Sequence, residues 1–317
     1  MNAEGTDEDD TGAEDRRLFG GRREKVTVYV GAELGLTCVQ IAADRVGQFS
    51  LVERGDVRCV ATDESDAATV VAVATDETVL AGEGDRFESV GFGLAATVGV
   101  DDEFLYAASA DGEVARLPIA AVGDGDSEWE QVGTVTEPRR FAGAHLAATD
   151  GVYRVGDGLE HLGLADARDV TYSGKYAATA DGLYRLDGEW VQESDGGARA
   201  VAARGAAVHA LADGHLLARE GGEWTPVDLP TEETPVDLAH GLGVYVLTAA
   251  GTLVVEADPE ATSDGHAGWR SRALGVRSAR RLAVRGLMRR LDSPHPAGSR
   301  SHPEPKRRLA RAASGRI

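Results

Sequence analysis

A short apolar run that ends in a tight turn and is followed at once by a second apolar run recurs seven times along the chain. The turns fall at Leu34-Gly35, Asp76-Glu77, Asp111-Gly112, Asp150-Gly151, Asp181-Gly182, Asp213-Gly214 and Ala250-Gly251. From Asp111 onward they are 31 to 39 residues apart, close to the period of roughly 40 residues for a four-stranded propeller blade. Repeats of this kind bury the apolar face of each unit against its neighbours, so the spacing predicts an all-β repeat fold.

Each unit contains four strand-like segments. The best-preserved unit, 168 to 193, has four runs of strand-forming residues, most of them closed by Gly or Asp-Gly, a pattern typical of antiparallel strands joined by hairpins. We number the four strands of each unit from first to fourth in chain order. Second strands are predicted at 26 to 31, 69 to 75, 104 to 109, 144 to 149, 175 to 179, 207 to 211 and 243 to 248. First strands are predicted at 57 to 62, 94 to 99, 138 to 142, 168 to 172, 198 to 203, 235 to 239 and 279 to 285.

These positions leave one second strand without a partner at the start of the chain, and one first strand without a partner at the end. Pairing the two would close a ring and remove the exposed sheet edges. We therefore predict an all-β fold, a seven-bladed β-propeller closed by the C-terminal strand in the N-terminal blade, over residues 25 to 285. Residues 1 to 24 are predicted to be an acidic disordered segment, and residues 286 to 317 a basic, Pro/Arg-rich disordered tail.

Residue size along the repeat supports a ring. The first and second strands are rich in Ala, Gly, Thr and Val, as expected where inner strands crowd near an axis, although GC-rich coding would also enrich alanine. The predicted outer strands, where the wedge between blades is widest, carry the bulky side chains Trp129, Trp190, Trp224 and Trp269.

Charge and apolar patterning limit the class of partner. The formal net charge of -20, with Lys25, Lys175 and Lys306 as the only lysines, resembles the proteomes of salt-loving archaea. Because phosphate binding requires clustered positive charge, we do not expect nucleic acid to bind the ring, and only the basic tail has the charge to contact it. No run of 18 apolar residues and no apolar leader is present, so we expect a cytoplasmic monomer in which Cys38 and Cys59 are buried thiols and not a disulfide.

Motifs of catalysis are not found. The sequence has no Gly-x-Ser-x-Gly elbow, no His-Glu-x-x-His, no Cys-x-x-Cys and no phosphate-binding loop. Asp124, Asp126 and Glu128 alternate as in a calcium loop but lack its glycine and terminal glutamate, which favours an exposed acidic loop. We therefore predict no catalytic residue, no metal and no cofactor, and a non-enzymatic role is favoured over an enzymatic one.

One set of residues forms a candidate ligand site. The arginines at or near the beginnings of first strands, which in a propeller open onto one end of the central channel, are Arg58, Arg140, Arg168, Arg199 and Arg280, with Arg281 beside them. A guanidinium offers a planar fork of donors to carboxylates and phosphates. The competing interpretation is that each arginine pairs with a nearby carboxylate such as Glu53, Asp56, Glu137 or Asp169.

Two resemblances accompany these patterns. Asp126-Ser127-Glu128-Trp129, Asp187-Gly188-Glu189-Trp190, Gly221-Gly222-Glu223-Trp224 and the run from Ser263 to Trp269 each resemble a degenerate Asp-box of BNR-type propellers. The span 26 to 285, with its Ala-Ala-Thr-x-Asp-Gly-Leu-Tyr-Arg signature, is similar to uncharacterised haloarchaeal propeller proteins. Both resemblances imply a fold and no particular reaction.

The leading functional hypothesis is a rigid platform that binds another protein through loops at one end of the ring. The alternative is an anion- or glycan-binding propeller, in a purely binding or a hydrolytic form, that uses the arginines at the channel mouth. A third hypothesis, a sensory propeller, rests on the likeness of the Asp-Gly-Leu-Tyr repeat to periplasmic sensor repeats and is disfavoured by the missing leader.

Overall fold

A computed structural model describes residues 25–42, 45–63, 70–123, 128–256 and 268–286. These residues form seven four-stranded antiparallel sheets, and the chain is a seven-bladed β-propeller, as the repeat predicts. The predicted segments 1 to 24 and 286 to 317 lie outside the described residues, apart from Gly286. No helix of the described residues is long and apolar enough to span a membrane.

The strands of each blade follow one another in the chain, except in blade 1. Blade 1 consists of β28 (Arg281–Gly286), β1 (Lys25–Ala32), β2 (Gly35–Ala42) and β3 (Arg45–Arg54), in that order from the inside. Blade 2 is β4 (Val57–Thr62), β5 (Val71–Thr75), β6 (Val79–Glu83) and β7 (Arg86–Ser89); blade 3 is β8 (Thr97–Val100), β9 (Phe104–Ala108), β10 (Glu113–Pro118) and β11 (Glu130–Thr134). Blade 4 is β12 (Pro138–Ala142), β13 (His145–Ala148), β14 (Gly151–Val155) and β15 (Leu159–Gly163).

The remaining three blades have the same order. Blade 5 is β16 (Ala167–Val170), β17 (Tyr176–Thr179), β18 (Gly182–Asp187) and β19 (Glu189–Asp195); blade 6 is β20 (Ala198–Arg204), β21 (Ala207–Ala212), β22 (His215–Glu220) and β23 (Glu223–Val227). Blade 7 is β24 (Pro235–His240), β25 (Val244–Thr248), β26 (Thr252–Glu256) and β27 (Trp269–Ala273). A short 3-10 helix, Ile119–Ala121, follows β10.

The ring closes in blade 1, as predicted. β28 pairs with β1 in antiparallel register, with Val28 opposite Val284 and Tyr29 opposite Ala283. The Arg280 N–H adds a further bond to the Gly31 carbonyl at 3.0 Å. Both ends of the described chain therefore contribute to a single sheet.

The apolar core lies between blades and not within them. Among the described residues the buried apolar side chains form seven clusters, and each cluster joins two neighbouring blades. The cluster between blades 7 and 1, for example, packs Val28 and Leu282 against Tyr245. Each sheet is thus buried on both faces, which explains why first and second strands are almost continuously apolar.

Small residues in the inner strands are required by the close approach of the blades. A Cβ added at Gly31 would lie 2.6 Å from Val57 Cγ1 of blade 2, and one at Gly99 would lie 2.5 Å from Phe141 Cβ of blade 4. Neither distance is compatible with a side chain at the glycine. The crowding near the axis, predicted from composition, is therefore present at these two blade interfaces.

The turn aspartates have a structural role in blades 2, 4 and 6. The turn carboxylates of Asp76, Asp150 and Asp213 accept hydrogen bonds from the backbone N–H groups of Asp56, Thr136 and Gly197, at 3.1, 3.1 and 3.2 Å. Each of these N–H groups lies just before the first strand of its own blade. The aspartate of the repeat therefore fixes the chain as it crosses from one blade into the next.

Local details differ from the sequence prediction in blade 3. β8 begins at Thr97, three residues later than predicted, because regular pairing with β9 starts at Thr97 opposite Ala108. The preceding Ala96 adds a single bond, from its N–H to the Ala108 carbonyl at 2.8 Å. Trp129 lies just before β11 and not within it, since its Nε1 donates to the Val90 carbonyl at 2.7 Å and its ring packs on Phe92. Trp190, Trp224 and Trp269 do lie on outermost strands, and both cysteines are buried free thiols.

Candidate functional site

We call the end of the ring at which the first strands begin the top face. There the pairing of first and second strands skips one residue in blades 2, 4, 5, 6 and 7, which marks a β-bulge. Blade 1 has the same arrangement, with Arg280 N–H bonded to Gly31 and Arg281 paired with Gly31. The bulge residue is an arginine in five blades: Arg58, Arg139, Arg168, Arg199 and Arg280.

These bulge arginines reach toward the next blade. Arg168 Nη1 donates to the Ala198 carbonyl at 3.3 Å, and Arg199 Nε donates to the Val236 carbonyl at 3.0 Å. Arg139 forms an ion pair with Asp166 at 2.6 Å, and Arg280 forms one with Asp56. The competing interpretation from the sequence, pairing with a carboxylate, therefore applies to Arg280 and to Arg140. Arg168 and Arg199 bond backbone carbonyls.

Arg140 lies one residue beyond the bulge, inside the channel and not at its mouth. Its guanidinium bonds Asp169 of blade 5 at 3.2 Å and Asp237 of blade 7 at 2.6 Å. The Arg140 side chain is 15% exposed and the two carboxylates 3% and 0%. Burial alone would lower the pKa of Arg140, but the two carboxylates raise it above its ordinary value.

Both carboxylates also bind backbone groups of other blades. Asp169 Oδ2 accepts from the Val201 N–H at 2.9 Å, and Asp237 Oδ2 accepts from the Leu282 N–H at 2.8 Å. Arg140, Asp169 and Asp237 thereby link blades 4, 5, 6, 7 and 1 across the axis. We call these three residues the channel triad.

The opposite end of the channel is also bridged. Tyr172, just after the first strand of blade 5, donates its hydroxyl to Asp63, just after the first strand of blade 2, at 3.1 Å. Burial, followed by the charge of Asp63, raises the pKa of Tyr172 above its ordinary value. Between the two bridges lies a cavity of about 70 Å³ lined by first strands. Ligand sites typically measure about 300 to 1,000 Å³, so this cavity is too small for a sugar or a cofactor.

The opening of the channel on the top face, which we call the mouth, carries arginines whose guanidinium N–H groups are not all used in described hydrogen bonds. Arg58, Arg168 and Arg199 are exposed, and within the described part of the chain none of them forms an ion pair. Burial lowers the pKa of Arg199, and the charge of Arg281 lowers it further. Asp237 raises it, and Arg168 lowers it by a smaller effect than that of Asp237. The mouth therefore concentrates positive charge on an otherwise acidic protein.

The repeat departs from its pattern beside Arg58. The residue before the first strand is Asp56 in blade 2 and Asp166 in blade 5, and both pair with a bulge arginine. In blade 3 the equivalent residue is Leu94, which is 55% exposed. Where the junctions of blades 1 and 2 and of blades 4 and 5 have an ion pair, the junction of blades 2 and 3 thus has an arginine without a described partner and an exposed leucine.

Sequence reasoning found four of the five bulge arginines but chose Arg140 where Arg139 is the repeat equivalent. The adjacent pair Arg139-Arg140 conceals the register. Aligning the units on the apolar residue that follows, Phe141 in blade 4 and Val170 in blade 5, would have distinguished them. In the described residues no three His, Cys, Asp or Glu side chains are grouped so as to hold a metal ion.

A partly buried polar contact lies on the opposite, bottom face. His209 Nδ1 and His240 Nε2 are 3.2 Å apart, so one ring donates to the other. Burial lowers the pKa of both histidines, and the proximity of His209 and Arg204 helps to bring that of His240 to about 4. Glu256 and Glu220 act in the opposite direction on His209.

This histidine pair predicts a pH-dependent stability. Because the folded pKa of His240 lies below the value of about 6.5 in an unfolded chain, the unfolded state binds more protons between those values. Stability should be full above about pH 6.5 and fall as the pH drops toward 4. We expect His240→Asn to flatten that part of the urea midpoint curve, measured from pH 7 to pH 4. The exposed His215 is the control, and an equal effect of His215→Asn would contradict the prediction.

Comparisons with known proteins agree with the fold. Residues 12–285 match a family model described as Beta-prop_HVO_0234-like, beta propeller. A search of curated proteins found no match. Among solved structures, apo AztD from Citrobacter koseri is similar with a TM-score of 0.50 and 10% identity, over 83% of this chain and 98% of that one.

Two further structures are similar at the same level. The computationally designed Ika8 protein has a TM-score of 0.52 and 16% identity, over 84% of this chain and 91% of that one. YCF48 bound to D1 peptide has a TM-score of 0.51 and 13% identity, over 69% of this chain and 82% of that one. At such identities the likeness concerns the fold alone.

Proposed function

Because the chain belongs to the Beta-prop_HVO_0234-like family of beta propellers, we propose that it is a non-enzymatic platform that binds another protein on its top face. The observation that carries the proposal is the bridged channel. Arg140 and Tyr172 cross it at two levels and leave a cavity of about 70 Å³. Recognition is then left to the outer faces of a rigid ring, where sites are commonly built on a propeller.

The top face has the features of a protein-binding surface. Leu34 and Leu94 are 65% and 55% exposed on it, and Leu94 stands where the neighbouring blade provides the carboxylate partner of an arginine. Arginine is enriched at protein–protein interfaces, where its aliphatic carbons pack against apolar groups and its guanidinium forms hydrogen bonds. YCF48, a similar fold, was solved bound to D1 peptide. The buried free thiols of Cys38 and Cys59 fit a cytoplasmic, reducing setting.

Exposed leucines on the two faces provide the test. We expect a partner captured by the wild-type chain from native lysate at high salt to be lost with Leu94→Asp and weakened with Leu34→Asp. Leu242, 52% exposed on the bottom face, is the matched control, and Leu242→Asp should retain the partner. The proposal fails if Leu242→Asp loses the partner while both top-face variants keep it, with circular dichroism confirming that all three are folded.

The alternative, an anion- or glycan-binding propeller, is favoured by the spare donors of Arg58, Arg168 and Arg199. The cavity volume limits such a ligand to the mouth, because a sugar does not fit between the two bridges. Binding of a small anion with no loss of partner in the Leu94→Asp variant would favour this alternative.

A further inference from the structure

We propose that the top-face mouth is a carboxylate-binding site in which Arg168, Arg199 and Arg281 receive a carboxylate group of the partner protein. The inference rests on the proposed function and deepens it by naming the chemical group that is recognised. Arg168 and Arg199 occupy the bulge position of blades 5 and 6, and Arg281 of blade 1 lies one residue beyond the bulge, at the position that Arg140 has in blade 4. Blade 7 places the Val236 carbonyl and the charge of Asp237 beside them.

Unused donors are the first argument. A guanidinium has five N–H groups, and the described contact of Arg199 uses only Nε, while that of Arg168 uses only Nη1. Arg139 and Arg280 occupy the same bulge position, and they form ion pairs with Asp166 and Asp56. Two of the five bulge arginines are therefore structural ion pairs, whereas Arg168 and Arg199 keep paired N–H groups available.

Repulsion among the arginines is the second argument. The Ala198 carbonyl that accepts from Arg168 belongs to the residue directly before Arg199, and Arg281 and Arg168 both lower the pKa of Arg199, while Asp237 opposes them. The buried carboxylates below them, Asp169 and Asp237, are already held by Arg140 and by backbone N–H groups. A bound anion would remove the repulsion among the three cations without displacing any described bond.

The surrounding charge selects the kind of anion. The chain carries a net charge of -20, and aspartates of the repeat turns such as Asp181 and Asp213 lie on the same face. A phosphate dianion or a nucleic acid must approach through this negative field, whereas a single carboxylate carries half the charge of the phosphate. The parallel N–H pair of an arginine also matches the two oxygens of a carboxylate in a bidentate bond.

The test uses the full-length protein and small probes, without the partner. The probes are acetate, inorganic phosphate, and one short acetylated peptide made with a free or an amidated C-terminus. The thermal unfolding midpoint is measured at constant ionic strength, with chloride as the reference salt, and yields the dissociation constant by linkage. We expect acetate and the free peptide to raise the midpoint, and the amidated peptide to leave it unchanged.

Variants locate the site. Arg168→Gln/Arg199→Gln should weaken carboxylate binding at least tenfold, and Arg199→Lys, which keeps the charge but loses the fork, should weaken it severalfold. The control Arg154→Gln removes an exposed arginine that pairs with Glu160 on blade 4 and should bind like wild type. Equal binding by the double variant, a preference for phosphate, or no response to either carboxylate would each overturn the inference.

This outcome is separable from the proposed function. If carboxylate binding is absent but the partner is still lost with Leu94→Asp, the platform stands and the carboxylate site is wrong. If carboxylates bind through Arg168 and Arg199 while no partner depends on the top face, the platform fails and the small-anion alternative remains.

Discussion

Replacing Arg140 by methionine is expected to destabilise the propeller by about 3 to 5 kcal/mol, the range found when one partner of a buried ion pair is removed. Methionine keeps much of the side-chain volume but leaves Asp169 and Asp237, 3% and 0% exposed, without their cation. The loss should appear as a lower urea midpoint with an unchanged m-value.

The cause can be separated from simple loss of packing. Burial already raises the pKa of Asp169, with Arg140 opposing the rise, so the Arg140→Met variant should protonate this carboxylate at a higher pH than wild type. The difference in the free energy of unfolding between wild type and the Arg140→Met variant should therefore decrease as the pH falls toward 5. Adding Asp169→Asn and Asp237→Asn to Arg140→Met should restore part of the stability. A deficit that is independent of pH and unaffected by the two amides would contradict the role given to the channel triad.

Removing β28 is expected to have the largest effect of all. A chain that ends at residue 280 loses the inner strand of blade 1, including Leu282 and Val284, which are 1% and 7% exposed. Core truncations of one leucine or isoleucine cost about 2 to 5 kcal/mol each, and the edge of β1 would also lose its partner. The total is comparable with the whole stability of a typical domain, about 5 to 15 kcal/mol, so we expect the shortened chain to be unfolded or aggregated.

The matched control is a chain that ends at residue 287, which keeps β28 intact and should unfold cooperatively at the wild-type midpoint. A synthetic peptide covering residues 276 to 286, added during refolding of the shortened chain, should restore cooperative unfolding followed by circular dichroism. A shortened chain that folds as stably as wild type would show that closure by β28 is dispensable.

The sequence predicts the fold well because two local signals agree with each other. Hairpin turns such as Asp181-Gly182 recur at the period of a blade, and the unpaired segments around Val28 and Val284 complete one another. Where the prediction was off by a few residues, as in β8, regular pairing begins later than the apolar run. The apolar pattern reports burial and not hydrogen bonding, since Ala95 is buried although it precedes β8, so periodicity alone does not locate the first paired residue.

The candidate site was harder to predict than the fold. The sequence places arginines at the start of first strands, but it does not distinguish the bulge position of Arg139 from the channel position of Arg140. Nor does spacing show that Asp237, 97 residues from Arg140 in the chain, lies across the axis from it. Such pairings depend on the closed ring, which brings together residues of distant blades that no local pattern relates.

The position of β28 has a consequence for how the protein is made. During translation β1 is synthesised first among the strands and β28 last. The inner edge of β1 therefore has no partner strand while the other six blades are synthesised. During that interval the exposed edge of β1 is open to wrong pairings, a hazard of folds dominated by contacts distant in sequence. The ring can therefore close only after β28 has been synthesised, and a chain that stops before residue 281 remains an open arc of blades.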